Sequence, residues 1–249
     1  LKGQRELTNK KLSELKNTLN EVNIKEIDTV TSQAINLALK DISKIDDIRS
    51  KVDALSIKGA NAIAYYTNMN AKFLNTVVKI SNFSKSPEAT KQIIAYLNFL
   101  LAKERAGVER AVGTNITSTD FFLPGFREKF SSLITGQDAY LSNFNDYSSK
   151  EARNFLEKTL DNNAVREIQR MRKIILESNE IGGFGVDSQY WFETITAKLG
   201  LLKKTENFII KSLRVTNDKT KQNVKLATAF SNLVHETQKE RGATAGFIG

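Results

Sequence analysis

The sequence predicts an all-α protein, and three observations support this class. Proline occurs twice, as Pro87 and Pro124, whereas a chain of this length would contain ~12 prolines at average usage, so long helices can run without interruption. Apolar residues recur at spacings of three and four along most of the chain, as they do on helices. Alternating apolar and polar residues never persist long enough to predict a strand.

The first half of the chain is predicted to contain four helices. A stripe of apolar residues marks a first helix over 7–22, and a second stripe predicts one continuous helix over 27–55. A third helix covers 59–80. Pro87 suits the first position of a helix because its missing N–H needs no partner there, and the helix that it opens should end within 113–119.

Five further helices are predicted in the second half of the chain. Their apolar stripes cover 126–144, 152–156, 165–175, 195–213 and 224–249. A glycine-rich loop at 182–185 precedes the fourth of them, and Trp191 should anchor the start of that helix in the core. Long helices joined by short polar loops pack best as antiparallel bundles, so we expect one four-helix bundle or two stacked ones.

The composition excludes several kinds of site. The 249 residues include no Cys and a single His, so a disulfide framework, a thiolate zinc site, a cysteine nucleophile and a multi-histidine metal site are excluded. No nucleophile stands beside a base in a recognisable catalytic frame. We therefore expect a protein without enzymatic activity, cofactor or bound metal.

The charge distribution favours solvated helix faces over a nucleic-acid-binding surface. There are 37 basic and 28 acidic residues, which gives a net charge of +9, but the two signs are interleaved along the chain. No window approaches the ~20 uncharged apolar residues of a membrane span, and the first residues of the sequence lack the basic and apolar regions that are typical of a signal peptide. We expect a soluble piece of a longer protein, with no nucleic-acid partner.

Two segments combine charged residues with glycine and alanine inside predicted helices. They are KERAGVERA at 103–111 and QKERGATAG at 238–246. An interior glycine costs a helix about 1 kcal/mol relative to alanine, so a packing or functional gain should offset it. Gly242 and Gly246 lie four residues apart, as do Gly107 and Ala111, and each pair therefore shares one helix face.

Two interpretations of these segments are open. In the first, small residues from two crossing helices leave room for a small anion, and arginines bind it, because a planar guanidinium matches a flat oxyanion. In the second, Arg105, Arg110 and Arg241 form ion pairs with neighbouring glutamates, and the glycines serve close packing. These glutamates are Glu104, Glu109 and Glu240.

The same segments resemble motifs of a known family. Residues 233–247 resemble the opening motif of the nitrate- and nitrite-sensing (NIT) domain, which occurs in bacterial chemoreceptors, receptor kinases and antitermination regulators. Residues 100–111 resemble its second motif, and Trp191 with Phe192 resembles its closing segment. The paired motifs are specific, whereas any helical bundle could supply the helices between them.

The resemblance implies a helical sensor domain over 1–249 that binds nitrate or nitrite. It implies that Arg241 of the first motif and Arg110 of the second bind the anion between two helices. Arg105 has no assigned counterpart in the family; it is a third candidate for the site, or a surface partner of Glu109. The residues that would line the site are Gly242, Thr244, Ala245 and Gly107. Thr244 can donate one hydroxyl hydrogen bond.

The resemblance also implies a cellular setting. By analogy with chemoreceptors of methyl-accepting type, we expect the chain to be the periplasmic part of an inner-membrane receptor. It would be attached to the membrane through segments outside this sequence, and it would form a homodimer.

The order of the motifs departs from the family pattern, because the motif that opens the family's domain lies at the end of this chain. Either the domain is circularly permuted, or segment 218–249 belongs before residue 1 in the family order. The second interpretation predicts that Leu1 and Gly249 lie within reach of a short loop.

An anion that bridges Arg241 and Arg110 would offset their mutual repulsion and draw their helices together. A helix shift of ~1 to 2 Å would then pass through the bundle to a signalling module. The alternative, from another class, is a helical scaffold that binds a protein partner and no small molecule. Its arginines would be fully paired with the glutamates of the two segments.

Overall fold

The computed structural model describes residues 1–22, 28–81, 87–178, 181–215 and 221–248. These residues form ten α-helices and one isolated antiparallel bridge, between Phe121 and Gly182. The helices are α1 (Lys2–Glu21), α2 (Thr29–Ile42), α3 (Ile45–Asp53), α4 (Gly59–Ser81), α5 (Pro87–Thr119), α6 (Phe126–Tyr147), α7 (Lys150–Leu160), α8 (Asn163–Glu177), α9 (Ser188–Val215) and α10 (Lys221–Ile248). The prediction of an all-α helical bundle is confirmed.

The predicted continuous helix over 27–55 is wrong, because the chain forms α2 and α3 there, separated by a turn at Ser43 and Lys44. The Ser43 hydroxyl donates a hydrogen bond to the Lys40 carbonyl at 2.8 Å, and such side-chain bonds compete with the helical hydrogen bonds. The apolar stripe continues on both sides of the turn, so periodicity alone does not reveal it.

Capping side chains define several helix starts. The Asp28 carboxylate accepts hydrogen bonds from the backbone N–H groups of Val30 and Thr31 at 2.8 and 3.1 Å. Ser149 and Asn162 cap α7 and α8 in the same way. Each cap satisfies a backbone donor that has no partner within the helix, and so fixes where the helix begins.

The chain divides into two compact units. The first unit contains Leu1–Ile93 and Leu213–Gly249, and the second unit contains Ile94–Ser212. The first unit therefore holds α1 to α4 with α10, and the second holds α6 to α8 with most of α5 and α9. Two predictions about the domain stay predictions. The first is that residues 1–249 form a single sensing domain, and the second is that segment 218–249 comes first in the family order.

In the first unit, α10 packs against α1 and α4, and α4 also packs against α2. Gln4 near the start of α1 bonds to Glu236 of α10, whereas Glu21 at the end of α1 pairs with Lys225 near the start of α10. The two helices are therefore antiparallel neighbours. Because Gly249 lies outside the described residues, the proximity of the two chain ends stays a prediction.

Each unit has its own apolar core. In the first unit, Phe73 of α4 packs against Phe230 of α10, with ring centroids 5.7 Å apart. In the second unit, Trp191 of α9 packs against Phe130 of α6 at 5.6 Å, and both side chains are fully buried. The Trp191 indole N–H donates to the Arg110 carbonyl at 3.3 Å. The prediction that Trp191 anchors the start of its helix is confirmed.

Gly113 on α5 lies against the Trp191 indole, and Gly113→Ala is expected to destabilise the protein. A Cβ atom at Gly113 would lie 2.2 Å from the nearest indole carbon. Overpacking of this kind costs about 1 to 3 kcal/mol, which urea denaturation would measure as a lower free energy of unfolding.

Gly200→Ala on α9 is the control for this prediction, because within the described ranges no heavy atom from another part of the chain lies within 4 Å of a Cβ atom there. Alanine favours the helix, so we expect Gly200→Ala to gain about 0.5 to 1 kcal/mol. Equal stability of the two variants would show that the indole moves freely to admit the new methyl group.

Candidate functional site

The motif at 238–246 lies on α10, where four buried polar side chains form a stripe. Thr237, Glu240, Arg241 and Thr244 recur at spacings of three and four, and each is at most 1% exposed. The stripe packs against α4, whose side chains bond to its members. Buried polar groups need hydrogen-bond partners, so the residues that surround this stripe must supply donors and acceptors.

Glu240 of the stripe is bonded to side chains of two other helices, α3 and α4. Its carboxylate oxygens accept hydrogen bonds from Arg49 Nε and Nη2 at 2.7 and 2.9 Å, and from the Tyr66 hydroxyl at 2.7 Å. Burial raises the pKa of Glu240, but the hydrogen bonds from Arg49, Thr8 and Tyr66 lower it by more, so the pKa lies below its usual value. Glu240 is thus a buried carboxylate whose charge Arg49 compensates.

Arg241 follows Glu240 in the sequence and is 1% exposed. Its Nη1 donates a hydrogen bond to the Thr67 hydroxyl of α4 at 3.1 Å. Two guanidinium groups and one carboxylate give Arg49, Glu240 and Arg241 a summed charge of +1. Asp46, which also pairs with Arg49, is 86% exposed and is screened by solvent. These three buried side chains together therefore carry a net positive charge.

The small residues of the motif flank Arg241. Gly242 and Thr244 are buried, and Ala245 is half-buried. The Thr244 hydroxyl lies beside the Tyr66 phenol, whose pKa is raised by burial and by the Glu240 carboxylate. Tyr66 therefore stays protonated and serves as a hydrogen-bond donor to Glu240.

Glu109 on α5 has a similar environment in the second unit. Arg172 of α8 donates Nε and Nη2 to its two oxygens at 2.6 Å each, and the Gln137 amide of α6 donates at 2.7 Å. Lys198 of α9 donates to the amide oxygen of Gln137 at 2.9 Å. Burial raises the pKa of Glu109, but Lys198 and Arg172 lower it by more. The four side chains link α5, α6, α8 and α9.

Arg110 follows Glu109 and is 3% exposed. Its Nη1 donates to the Thr196 hydroxyl of α9 at 3.2 Å, and its guanidinium carbon lies 5.1 Å from the centre of the Phe192 ring, within the range of a cation–π interaction. Gly107, almost one turn earlier, is buried, whereas Arg105 is exposed. Arg110 is thus the buried arginine of this motif.

The predicted site residues fall into two groups. The first unit holds Arg241, Gly242, Thr244 and Ala245, and the second unit holds Gly107, Arg105 and Arg110. A single helix carries each group, α10 in the first unit and α5 in the second. That Arg241 and Arg110 bind one anion together stays a prediction.

Sequence reasoning missed the residues that bind the two motif glutamates. These residues are Arg49, Tyr66, Gln137 and Arg172. They come from helices outside both motifs. Arg49 and Arg172 stand among interleaved acidic and basic residues, a pattern that is typical of solvent-exposed helix faces. The same is true of Lys103 and Glu206, which form a buried ion pair between α5 and α9. No local signal in the sequence separates such buried charges from exposed ones.

Comparison with known proteins identifies similar regulators. The chain is 23% identical over 167 residues to a nitrate regulatory protein of Klebsiella oxytoca, a match that covers 67% of this chain and 41% of that protein. Its fold is similar to the solved structure of the NasR transcription antiterminator, with a TM-score of 0.72 and 20% identity over 88% of this chain and 61% of that one. The chain thus spans less than two thirds of either protein.

These similarities correct the expected cellular setting. The matched proteins are a nitrate regulatory protein and a transcription antiterminator. The expectation of a periplasmic chemoreceptor domain that is attached to a membrane and lacks a nucleic-acid partner is therefore wrong. Within the described ranges, none of the helices has the length and apolar character that crossing a membrane requires.

The family described as nitrate and nitrite sensing (NIT) matches residues 1–214. The matched residues include Gly107 and Arg110 of the second motif. They end before the segment 233–247, so the assignment of Arg241 to the family's opening motif stays a prediction. Because the match covers most of the chain, the chain belongs to the NIT family of nitrate- and nitrite-sensing domains.

Proposed function

We propose that this chain is the non-enzymatic sensing part of a longer regulatory protein, in which Arg241 and Arg110 bind nitrate or nitrite. Membership of the NIT family supports the ligand class, and the names of the similar proteins support an output in the control of transcription. The segment that produces the output lies outside this chain.

The observation that carries this proposal is the bonding of the two motif glutamates. If the arginines served only as ion-pair partners of their sequence neighbours, Glu240 would bind Arg241 and Glu109 would bind Arg110. Both carboxylates instead accept two hydrogen bonds each from arginines on other helices, Arg49 and Arg172. This arrangement departs from the ion pairs that the scaffold interpretation predicts for Glu240 and Glu109.

The chemistry of the two arginines suits a small planar oxyanion. A guanidinium group stays charged at every physiological pH and presents its donors in one plane, as the oxygens of nitrate require. Both side chains are buried, and a buried ion attracts a counter-ion more strongly than an exposed one because little water screens it. Binding then stabilises the conformation that has the higher affinity for the anion, and the helices pass that change to the output segment.

Calorimetric titration of nitrate and of nitrite tests the proposal, with chloride as a control anion. Arg241→Lys and Arg110→Lys keep the positive charge but lose the planar set of donors. We expect each variant to bind at least ~10-fold more weakly, since hydrogen bonds to charged groups contribute about 1.5 to 3 kcal/mol. Arg105→Lys on α5 is the matched control, because Arg105 is exposed, and its affinity should stay unchanged.

Each contrary result has a defined meaning. Absence of saturable nitrate and nitrite binding by the folded wild-type chain would reject the ligand. Weaker binding in only one of the two variants would reject the arginine pair and assign the anion to a single unit. Equal affinity of all three variants would reject both arginines as contacts.

A further inference from the structure

Helix α4 lies outside both motifs, yet it supplies polar groups to the stripe on α10. Tyr66 bonds to Glu240, Thr67 to Arg241, and Asn70 to Thr237. Thr67 and Asn70 are three residues apart and so share one face of α4. The motif arginine therefore faces a second row of hydrogen-bonding side chains that neither motif contains.

Asn70 has spare capacity for hydrogen bonding. It is fully buried, and its amide oxygen accepts a hydrogen bond from the Thr237 hydroxyl at 2.6 Å. Among the described residues, its Nδ2 has no hydrogen-bond partner. A buried amide nitrogen carries two hydrogens and loses free energy when neither is bonded, so this group is suited to an additional acceptor.

Thr244 on α10 contributes a buried hydroxyl. Its side chain is fully buried, and its hydroxyl lies beside Tyr66 without a hydrogen bond of normal geometry to any part of the chain that the structure describes. Thr244 lies three residues after Arg241, on the same face of α10. The Asn70 amide nitrogen and the Thr244 hydroxyl, one on each helix, thus belong to the same pair of packed helices as the motif arginine.

We propose that Asn70 contacts the anion directly, its side-chain amide donating to an oxygen of nitrate or nitrite held by Arg241 and the Thr244 hydroxyl. The proposal rests on the proposed function and adds a residue of α4 to its site. Nitrate has three oxygens in one plane, and each accepts hydrogen bonds. A guanidinium, an amide and a hydroxyl would supply separate donors to them, which a spherical anion such as chloride uses less well.

The test is a titration of nitrate into the wild-type chain and into Asn70→Asp, with circular dichroism to confirm folding. The aspartate has the same shape, but it replaces the amide donor by an oxygen that repels an anion. We expect at least a 10-fold loss of nitrate affinity, the fold-change that ~1.4 kcal/mol represents. Asn68→Asp is the matched control, because Asn68 is exposed on the same helix, and its affinity should change less than twofold.

Asn70→Ser provides a second variant that adds no charge. It removes the amide and should also weaken nitrate binding at least 10-fold. Wild-type affinity in Asn70→Ser would overturn the assignment of Asn70 whatever Asn70→Asp does, and it would leave the proposed function intact. Absence of nitrate and nitrite binding by the wild-type chain would overturn the proposed function and this inference together.

Discussion

Arg49→Met is expected to lower the free energy of unfolding by about 3 to 5 kcal/mol, because it leaves the buried Glu240 without its compensating cation. The Glu240 side chain is 0% exposed and that of Arg49 is 7% exposed, so water cannot replace the lost partner. Methionine fills a similar volume, which limits the contribution of an empty cavity. The loss should therefore come mainly from the uncompensated carboxylate.

The contribution of Glu240 to the pH dependence of stability should have opposite signs in the wild-type chain and in Arg49→Met. In the wild-type chain the pKa of Glu240 lies below its unfolded value, so its contribution to stability is present at neutral pH and is lost as the pH falls through the lowered pKa. In Arg49→Met, burial dominates and raises the pKa above the unfolded value. The variant should then gain stability, relative to wild type, as the pH falls from 7 towards ~4.

Urea denaturation between pH 4 and pH 7 would measure both effects. Lys51→Met on the same helix is the control, since Lys51 and Asp47 form an exposed ion pair, and such pairs contribute about 0 to 1 kcal/mol. The double variant Arg49→Met with Glu240→Gln should recover part of the loss, because no buried charge remains. A loss of less than ~1 kcal/mol in Arg49→Met would show that other groups compensate Glu240.

The helical architecture was predictable because it depends on periodicity along the chain. Each helix buries one stripe of apolar residues, and a stripe such as the one over 126–144 is visible in the sequence. The turn at Ser43 and Lys44 was not predictable in this way, because a shift in direction between α2 and α3 leaves the spacing of apolar residues nearly unchanged. A local hydrogen bond from the Ser43 hydroxyl to the Lys40 carbonyl contributes to the turn.

The candidate site was predictable only in part, for a related physical reason. Glycine next to Arg241 and three residues before Arg110 is a local signal, since it weakens a helix and so requires an offsetting role. The partners of Glu240 and Glu109 are set by which helices pack together, and Arg49 lies 191 residues from Glu240 in the sequence. The orientation of Asn70 towards Thr237 likewise depends on the packing of α4 against α10, which no spacing rule contains.

Lys198→Met is expected to raise the free energy of unfolding by up to about 3 kcal/mol at pH 7. Burial lowers the pKa of Lys198 from 10.5 to about 8, although Glu109 and Asp138 partly counteract this, and Arg172 adds to it. The difference from the ordinary value corresponds to about 3 kcal/mol of unfavourable free energy for the charged form. Methionine removes that charge, and Gln137 keeps its hydrogen bonds to Glu109 and Arg172.

The gain in Lys198→Met should depend on pH with a defined sign. Between pH ~8 and ~10.5 the unfolded wild-type chain keeps a proton on Lys198 that the folded chain has lost, so wild-type stability rises with pH in this window relative to the variant. The difference between the two proteins should be largest below pH 8 and should vanish near pH 10.5.

Lys203→Met on the same helix is the control for this prediction. Lys203 is half-buried and bonds directly to Glu206 at 2.9 Å, so its loss should lower the free energy of unfolding. A constant difference between wild type and Lys198→Met across this range would show that Lys198 affects stability through packing, because only a charge can titrate.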